Sequence, residues 1–242
     1  MDQSNGEKDI GVMVDDRVNY SKHIQLQINK ANSIMGIIRR TYTYLDERSF
    51  KYLFQALVRP HLEYAAAVWS PYKIGDIESI ENVQRRATKL IPSLKNLEYP
   101  ERLKKLKMPT LKYRRLRGDM IETFKILSGK YDEEVASDLL VLDSNTMTRG
   151  HNKKLKKRHS RLNIRKYVFT NRVVDPWNNL PEKVVNAKTL VGFEIGLDKY
   201  WENQPVKFDH TKDLIQLHRK TGGRETRGNI EDEVDVDIGA ID

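Results

Sequence analysis

Two neighbouring carboxylates near the start of the sequence are the first residues whose type and spacing could do chemistry. Asp15 and Asp16 follow a short aliphatic run at 10–14, whose weak alternation predicts a strand and a turn. Adjacent aspartates on a β-hairpin can hold two metal ions for phosphoryl transfer when another strand supplies a third carboxylate. Met13 occupies the position where such sites normally carry an aromatic residue, and no earlier strand is predicted. The sequence therefore favours a turn and cap over a metal site.

Other catalytic and metal-binding patterns do not occur in the sequence. It contains no cysteine, which excludes disulfides and thiolate zinc sites. There is neither a glycine-rich phosphate loop nor a nucleophile elbow around a serine. The six histidines show no tight ligand spacing; they are His23, His61, His151, His159, His210 and His218. We therefore predict no catalytic residue, metal site or cofactor in this chain.

The charge distribution is more informative. The 242 residues include 43 Lys and Arg against 34 Asp and Glu, so the formal net charge is +9. Residues 84–117 contain twelve basic residues and two acidic ones, and residues 144–174 contain no acidic residue. A single basic run is usually a solvated helix face. Two such runs in one chain favour a polyanionic partner such as RNA or DNA.

The two basic tracts are the candidate phosphate-binding surface. Arg114, Arg115 and Arg117 cannot all face solvent beside their apolar neighbours, so at least one should reach a carboxylate or a phosphate. Three tryptophans could stack on bases, but each ends an apolar stripe, which favours core packing: Trp69, Trp177 and Trp201. The candidate residues are Arg39, Arg40, Arg85, Arg86, Lys89, Arg114, Arg115, Arg117, Lys153, Lys154, Lys156, Lys157, Arg158, Arg161 and Arg165.

Helices must position these residues. Apolar side chains recur every three or four positions between Ser21, the predicted cap, and Arg40. A second stripe follows the predicted cap Asp46, and Pro60 predicts a kink or a boundary near Arg59. Further helices are predicted after Asp76 and Pro100, after Thr110 as a third predicted cap, from about 164 to 177, and from about 190 to 201.

The predicted fold is mainly α, with a short N-terminal strand, a helical bundle, a small basic helical module and a disordered acidic tail. The expected boundaries are 1–20 for the N-terminal segment, 21–130 for the bundle, 131–148 for a linker, 149–203 for the basic module and 204–242 for the tail. One core should bury Leu53, Leu57, Ile80, Val83 and Phe124. Helix-weakening residues in the basic module are Pro176, Gly192 and Gly196.

Several motifs in these segments resemble one known family. They are DIGVMVD (9–15), YSKHI (20–24), LVRPHLEY (57–64), VWSP (68–71), VQRRATKLI (83–91), YRRLRGDMIET (113–123), RGH (149–151), RVVD (172–175) and WNNLP (177–181). Together they resemble the C-terminal part of jockey-like non-LTR (LINE-type) retrotransposon reverse transcriptases, over residues 8–203. The resemblance implies an RNA-directed DNA polymerase. Residues 1–20 would end its palm, and 21–203 would form a helical thumb and the module after it.

The resemblance also implies where the chemistry of the full-length enzyme would lie. The family's aromatic-Ala-Asp-Asp hairpin and its Mg²⁺ ions would lie before residue 1, so this chain is expected to be inactive alone. Its expected role is to grip template RNA and primer DNA without reading base sequence, in the nucleus or in a cytoplasmic ribonucleoprotein. No membrane partner is expected. Two other interpretations remain open, a protein-interaction module and a transposon relic without a biochemical role.

Overall fold

A computed structural model describes residues 6–15, 18–143 and 150–215 of the chain. The described part is mainly helical, as predicted, and begins with a β-hairpin. Strands β1 (Glu7–Asp9) and β2 (Val12–Val14) pair antiparallel, with Glu7 opposite Val14. Ile10 and Gly11 both have positive φ, the backbone that a tight two-residue hairpin turn requires.

Helices occupy most of the remaining chain. The first group comprises α1 (Ser21–Thr41), α2 (Glu47–Leu53), a π-helical turn (Phe54–Val58), α3 (Arg59–Glu63), α4 (Ala66–Trp69), α5 (Ile74–Thr88), a 3₁₀ turn (Pro92–Leu94), α6 (Tyr99–Leu106) and α7 (Leu111–Leu127). The second group comprises α8 (Glu133–Leu139), α9 (Asn163–Tyr167), α10 (Phe169–Arg172), α11 (Val174–Asn178), α12 (Glu182–Val185), α13 (Leu190–Tyr200) and a 3₁₀ turn (Pro205–Lys207). In the described ranges, no helix is both long and apolar enough to cross a membrane.

The first core forms where α1 packs on α3, α5 and the π-helical turn. The buried face of α1 has the predicted spacing of three and four residues and includes Ile24, Ile28, Ala31, Met35 and Ile38. Burial of this stripe, rather than intrinsic propensity, is what stabilises a surface helix of this kind. The predicted helix is therefore confirmed at its apolar face.

Two of the three predicted helix caps are confirmed. The side chain of Asp46 accepts a hydrogen bond from Ser49 N at 2.7 Å, and Thr110 Oγ1 accepts one from Tyr113 N at 3.0 Å. The predicted cap at Ser21 is wrong. Its hydroxyl donates to Asp76 Oδ2 at 2.7 Å instead, because the start of α5 brings that carboxylate alongside.

The π-helical turn changes which side chains of the second apolar stripe are buried, so part of the prediction there is wrong. Leu57, expected in the core, is 46% exposed, whereas Val58 is completely buried. Arg59 N bonds to Phe54 O, five residues back, so the turn is one residue wider than an α-helical turn. Pro60 explains the position of this turn, since it lacks an N–H and its ring would press on the carbonyl four residues earlier. The helix therefore widens just before Pro60, which agrees with the irregularity that the sequence predicts near Arg59.

α7 belongs to two cores. Its start, at Leu111, closes the first core, while its later apolar residues enter a second core formed with the C-terminal helices. In that second core Phe124 stacks on Phe193 of α13, with ring centroids 4.4 Å apart. Phe124 is therefore buried as predicted, but apart from Ile80 and Val83, which lie in the first core. The two cores divide at residues 111–113.

The C-terminal helices are shorter than the pattern predicts. The expected helix from 164 to 177 is divided into α9, α10 and α11 by Val168, which is extended, and by Val173. Pro176 lies in the first turn of α11, where its missing N–H costs no helical hydrogen bond. Gly196 lets α13 approach α12 closely, because a Cβ there would lie 3.4 Å from Val184 Cγ2.

Residues 204–215, predicted as the start of a disordered tail, pack on the body of the protein. Val206 is buried, and its carbonyl accepts a hydrogen bond from Thr110 Oγ1 at 2.6 Å. Gln204 and Ile215 exchange two hydrogen bonds of 2.8 Å. The apolar side chain and the paired backbone groups explain why this part is ordered. The acidic stretch after Asn229, Arg149 and Asp16 lie outside the described residues.

Candidate nucleic-acid interface

Helices α1 and α5 run parallel, and both end in basic residues. Ser21 contacts Asp76 near the start of the two helices, and Arg86 Nη2 donates to Asn32 Oδ1 at 3.1 Å further along both. Their C-terminal ends therefore point the same way. At 1.5 Å per residue, Arg40 lies roughly 12 Å beyond Asn32 along α1.

Four of the candidate cations lie at these ends, and we call them the α1/α5 basic end: Arg39, Arg40, Arg86 and Lys89. All four are exposed, and none forms an ion pair with a carboxylate of the described chain. α1 contains no acidic residue to offset its own cations, which also include the exposed Lys22 and Lys30. The negative end of each helix dipole favours cations here.

Arg85, which directly precedes Arg86 in α5, makes its contacts within the protein. Its guanidinium donates to Asn82 Oδ1 and to Glu78 Oε2 and lies 3.1 Å from His210 Nε2. Burial favours the neutral form of Glu78, but the hydrogen bond from His210 and the charge of Arg85 outweigh it and lower the pKa of that carboxyl. Arg85 thus ties α5 to the 204–215 segment.

The three arginines of α7 are separated by the structure. Arg114 forms a two-pronged pair with Glu63, and its Nη2 lies 2.9 Å from Glu63 Oε2. Arg117 pairs with Asp198 at 2.6 and 2.9 Å, and this hydrogen bond raises the pKa of the guanidinium. Arg115 is buried. The sequence predicts that at least one of the three reaches a carboxylate or a phosphate, and two reach a carboxylate. The charges of Arg114 and Arg117 are therefore balanced within the protein.

A mostly buried ion pair between α7 and α10 lies near Arg115. Arg172 Nε and Nη2 donate to the two carboxylate oxygens of Asp119 at 2.8 and 2.9 Å. The same Nη2 also donates to Ala67 O at 2.7 Å, at the end of the short helix α4. Arg172 was not among the predicted site residues. Its partners lie far away in the sequence, so no local signal could identify it.

The second basic tract is an extended segment fixed at its centre. Leu155 is buried and forms a bridge with Leu142, while its backbone N–H and carbonyl both bond to the Asn178 side chain. Trp177 Nε1 donates to Lys153 O at 2.8 Å. These bonds fix the backbone of the tract at Lys153 and Leu155.

The cations of this tract differ in their surroundings. Lys156, Arg161 and Arg165 are exposed, and no ion pair is found for them within the described ranges. Lys157 pairs with Asp175 at 2.5 Å, and Arg158 Nη2 donates to Asp138 O at 3.0 Å. The remaining two, Lys153 and Lys154, are half-buried. The tract therefore presents three exposed cations on an anchored backbone.

The aromatic candidates for base stacking are all in the core. Trp69, Trp177 and Trp201 are buried, which confirms the packing interpretation. His151 lies edge-on to Trp177, and its Nε2 is 3.1 Å from Trp177 O. Burial lowers the pKa of His151, so its ring is neutral at pH 7 and donates through Nε2 while Nδ1 accepts from Lys153 N. Neither type of ring is available to a base.

Asp15 serves a turn, as the sequence favoured. Its Oδ1 accepts a hydrogen bond from Asn19 N at 2.6 Å, and its carbonyl accepts one from Val18 N at 3.0 Å. Across the described ranges, no group of three or more His, Cys, Asp or Glu side chains is arranged to hold a metal ion.

Comparison with known proteins does not identify a family. Searches of protein-family models, curated proteins and solved structures found no match to this chain. The geometry of the surface therefore carries the functional argument. It adds Lys22 and Lys30 to the candidate cations, for which the signal in the sequence was the absence of acidic residues from α1.

Proposed function

We propose that this chain grips the sugar–phosphate backbone of nucleic acid, as the thumb-like part of a non-LTR retrotransposon reverse transcriptase would grip template RNA and primer DNA. The observation that carries the proposal is the α1/α5 basic end. Its four exposed cations lie at the ends of two parallel helices without carboxylate partners in the described chain, while Arg85, Arg114 and Arg117 are used in internal pairs.

The surface suits phosphates better than bases. Exposed Arg and Lys on helix ends bind the phosphate backbone and provide affinity without sequence information. Base recognition would need exposed aromatic rings or polar groups arranged against base edges. The three tryptophans are buried and cannot stack on bases, while stacking by the exposed Tyr42 and Tyr44 would be tolerant of base sequence. Binding should therefore depend on salt and be indifferent to sequence.

The second basic tract would extend this grip. Lys156 adjoins Leu155, whose backbone is held by Asn178, and Arg161 and Arg165 lie further along the same tract. An anchored backbone loses less conformational freedom on binding than a flexible one would. We place the bound nucleic acid in the nucleus or in a cytoplasmic ribonucleoprotein, by the resemblance of the motifs alone.

The test is a salt titration with a matched control. Arg40, Arg86 and Lys89 are changed together to Ala, which leaves the structural Arg85 intact. Binding to an RNA–DNA hybrid, duplex DNA and a single strand is measured by fluorescence anisotropy from low to physiological salt. Each lost phosphate contact should reduce the log–log salt slope on duplex DNA by about 0.9, so the triple variant should lose roughly 2 to 3.

The control removes the same charge elsewhere. Lys183 and Lys199 are exposed on the C-terminal helices, Lys188 is exposed between two of these helices, and all three lie outside both tracts. Changing these three to Ala should alter the slope much less than the first triple change, because they lie outside the proposed phosphate-binding surface. No binding at low salt, or an equal effect of the two variants, would refute the proposal. Circular dichroism and thermal unfolding verify that both variants are folded.

A protein-interaction role is the second candidate, favoured by one observation. A mainly apolar pocket of about 360 Å³ opens beside α4, α9 and α10, and six exposed hydrophobic side chains line it: Val18, Val68, Leu139, Ile164, Tyr167 and Val168. Exposed apolar patches commonly mark protein contacts. Changing Val68 and Ile164 to Ser should leave nucleic-acid binding unchanged if the two surfaces are independent.

A further inference from the structure

Two exposed tyrosines directly follow the arginines at the end of α1. Tyr42 is 44% exposed and Tyr44 is 77% exposed. Arg40 precedes Tyr42 by two positions, so their Cα atoms lie no more than about 7 Å apart. A single exposed aromatic ring needs no explanation. Two rings beside the cations of the α1/α5 basic end indicate a ligand that has both charged and aromatic groups.

Two other exposed tyrosines have a role within the protein. The hydroxyl of Tyr64 donates to Ile10 O at 3.0 Å, and that of Tyr131 donates to a carboxylate of α7. In contrast, the side chains of Tyr42 and Tyr44 make no hydrogen bond or ring contact with the residues that the structure describes. Both rings are therefore available to a ligand.

The backbone that carries the two rings is fixed. Tyr42 N donates to Ile38 O at 3.0 Å, and the side chain of Leu45 is buried. Asp46 then caps α2 by accepting from Ser49 N at 2.7 Å. A ligand that binds the rings consequently orders two side chains rather than a flexible loop, which lowers the entropic cost of binding.

A pocket beside Tyr44 lies where the loop after α1 meets the loop after α5. Its volume is about 370 Å³, and Pro92 and Ser93 line its other side. The size is within the range of sites for small organic groups. Asp46 and Glu47 also lie in its wall, and Glu47 Oε1 accepts from Ser93 Oγ at 3.2 Å. These carboxylates would repel a phosphate, so the pocket favours an uncharged group such as a base.

We propose, on the basis of the proposed nucleic-acid function, that Tyr42 and Tyr44 stack on unpaired bases while Arg39 and Arg40 bind phosphates of the same strand. Exposed aromatic rings next to cations are how proteins bind single strands without reading sequence, since every base has a π face. In a duplex the bases already stack on each other. The chain should therefore prefer a single strand.

The test compares single-stranded DNA of unstructured sequence with duplex DNA of the same length, by fluorescence anisotropy at low salt. A surface that binds only phosphates favours the duplex, whose charge density is higher. We expect the original chain to bind the single strand more tightly. Changing Tyr42 and Tyr44 together to Ala should weaken single-strand binding about tenfold or more and duplex binding less than about twofold.

Two control variants separate stacking from other effects. Changing Tyr42 and Tyr44 to Phe keeps both rings and should preserve the single-strand affinity. Tyr131→Ala removes an exposed tyrosine outside the basic end and should leave both affinities unchanged. The salt slope on duplex DNA should be the same in the Ala variant as in the original chain, because no phosphate contact is lost. Circular dichroism verifies the fold of each variant.

Three results would overturn this proposal: unchanged single-strand affinity in the Ala variant, an equal loss on single strand and duplex, or a loss in the Phe variant as large as in the Ala variant. In each case the grip on phosphates stands if changing Arg40, Arg86 and Lys89 still lowers the salt slope. If the original chain binds neither DNA at low salt, the proposed function fails, and base stacking fails with it.

Discussion

At the scale of single residues, the Asp119–Arg172 ion pair connects α7 with α10. Both side chains are mostly buried, and Arg172 also bonds to a carbonyl of α4. Breaking a buried pair leaves an uncompensated charge, whereas replacing both partners by apolar residues can be nearly neutral. Changing one member of the pair should therefore lower the free energy of unfolding much more than changing both.

We predict that Arg172→Met lowers the free energy of unfolding by about 3–5 kcal/mol. Adding Asp119→Leu should restore much of this loss, because the remaining buried carboxylate is then removed. Urea unfolding of the two variants measures both effects. Lys157→Met is the matched control, since the Lys157–Asp175 pair is more than half exposed and should contribute less than about 1 kcal/mol. An equal loss in Lys157→Met would contradict this account.

His23 should make the stability depend on pH. It is buried against Trp69, with Nδ1 accepting from Met13 N at 3.2 Å. Burial, aided by the charge of Lys30, lowers the pKa of His23 below its usual 6.5. The unfolded chain therefore binds a proton more readily, so this contribution to stability is present above about pH 6.5 and is lost as the pH falls below it.

Replacing this histidine should flatten the pH profile. Between pH 7.5 and 5.5, the urea midpoint should fall less for His23→Gln than for the original chain, because glutamine does not titrate. His159→Gln, a change at an exposed histidine, provides the control and should keep the original profile. Parallel profiles for His23→Gln and the original would show that protonation of His23 does not limit stability.

At the scale of elements, the π-helical turn decides which side chains of the second stripe are buried. With the wider turn, Phe50, Phe54, Val58 and Leu62 enter the core at a constant spacing of four, and Leu57 turns outward. A regular α-helical period cannot keep that spacing on one face for three turns. The local cause, Pro60, was visible in the sequence, but its effect on register was not.

We expect Phe54→Ala to cost about 3–5 kcal/mol of stability and Leu57→Ala less than about 0.5 kcal/mol. The difference arises because Phe54 is completely buried and Leu57 is largely exposed. Chemical denaturation of the two variants compares them directly. A larger loss for Leu57→Ala would indicate an uninterrupted α-helix through this region.

At the scale of the whole molecule, the acidic C-terminal stretch should oppose binding of nucleic acid. Residues 229–242 contain six acids and no basic residue, so their removal raises the net charge by six from +9. We predict that truncation before Asn229 tightens binding to duplex DNA at low salt, since these acids compete with phosphates for the same cations. A full-length variant with the six acids changed to Asn or Gln should show the same gain. If only the truncation has an effect, length rather than charge is responsible.

The chain should not synthesise DNA by itself. Asp15 is used in a turn, and the described residues offer no carboxylate cluster for a pair of metal ions. We expect no primer extension on a primed RNA template with magnesium. If primer extension does occur and Asp15→Ala abolishes it, Asp15 belongs to a catalytic site after all.

The sequence by itself determined the helical class, the apolar face of α1, the caps at Asp46 and Thr110 and the two basic tracts. These features depend on residues within a few positions of each other, so their spacing in the chain is sufficient. Only the tertiary structure decided which cations form ion pairs with carboxylates and which do not. Arg114 meets Glu63 and Arg172 meets Asp119 across more than fifty residues, and Arg117 meets Asp198 across 81. Ion pairing depends on distance in space, so a run of positive charge in the sequence cannot distinguish a paired arginine from a phosphate-binding one.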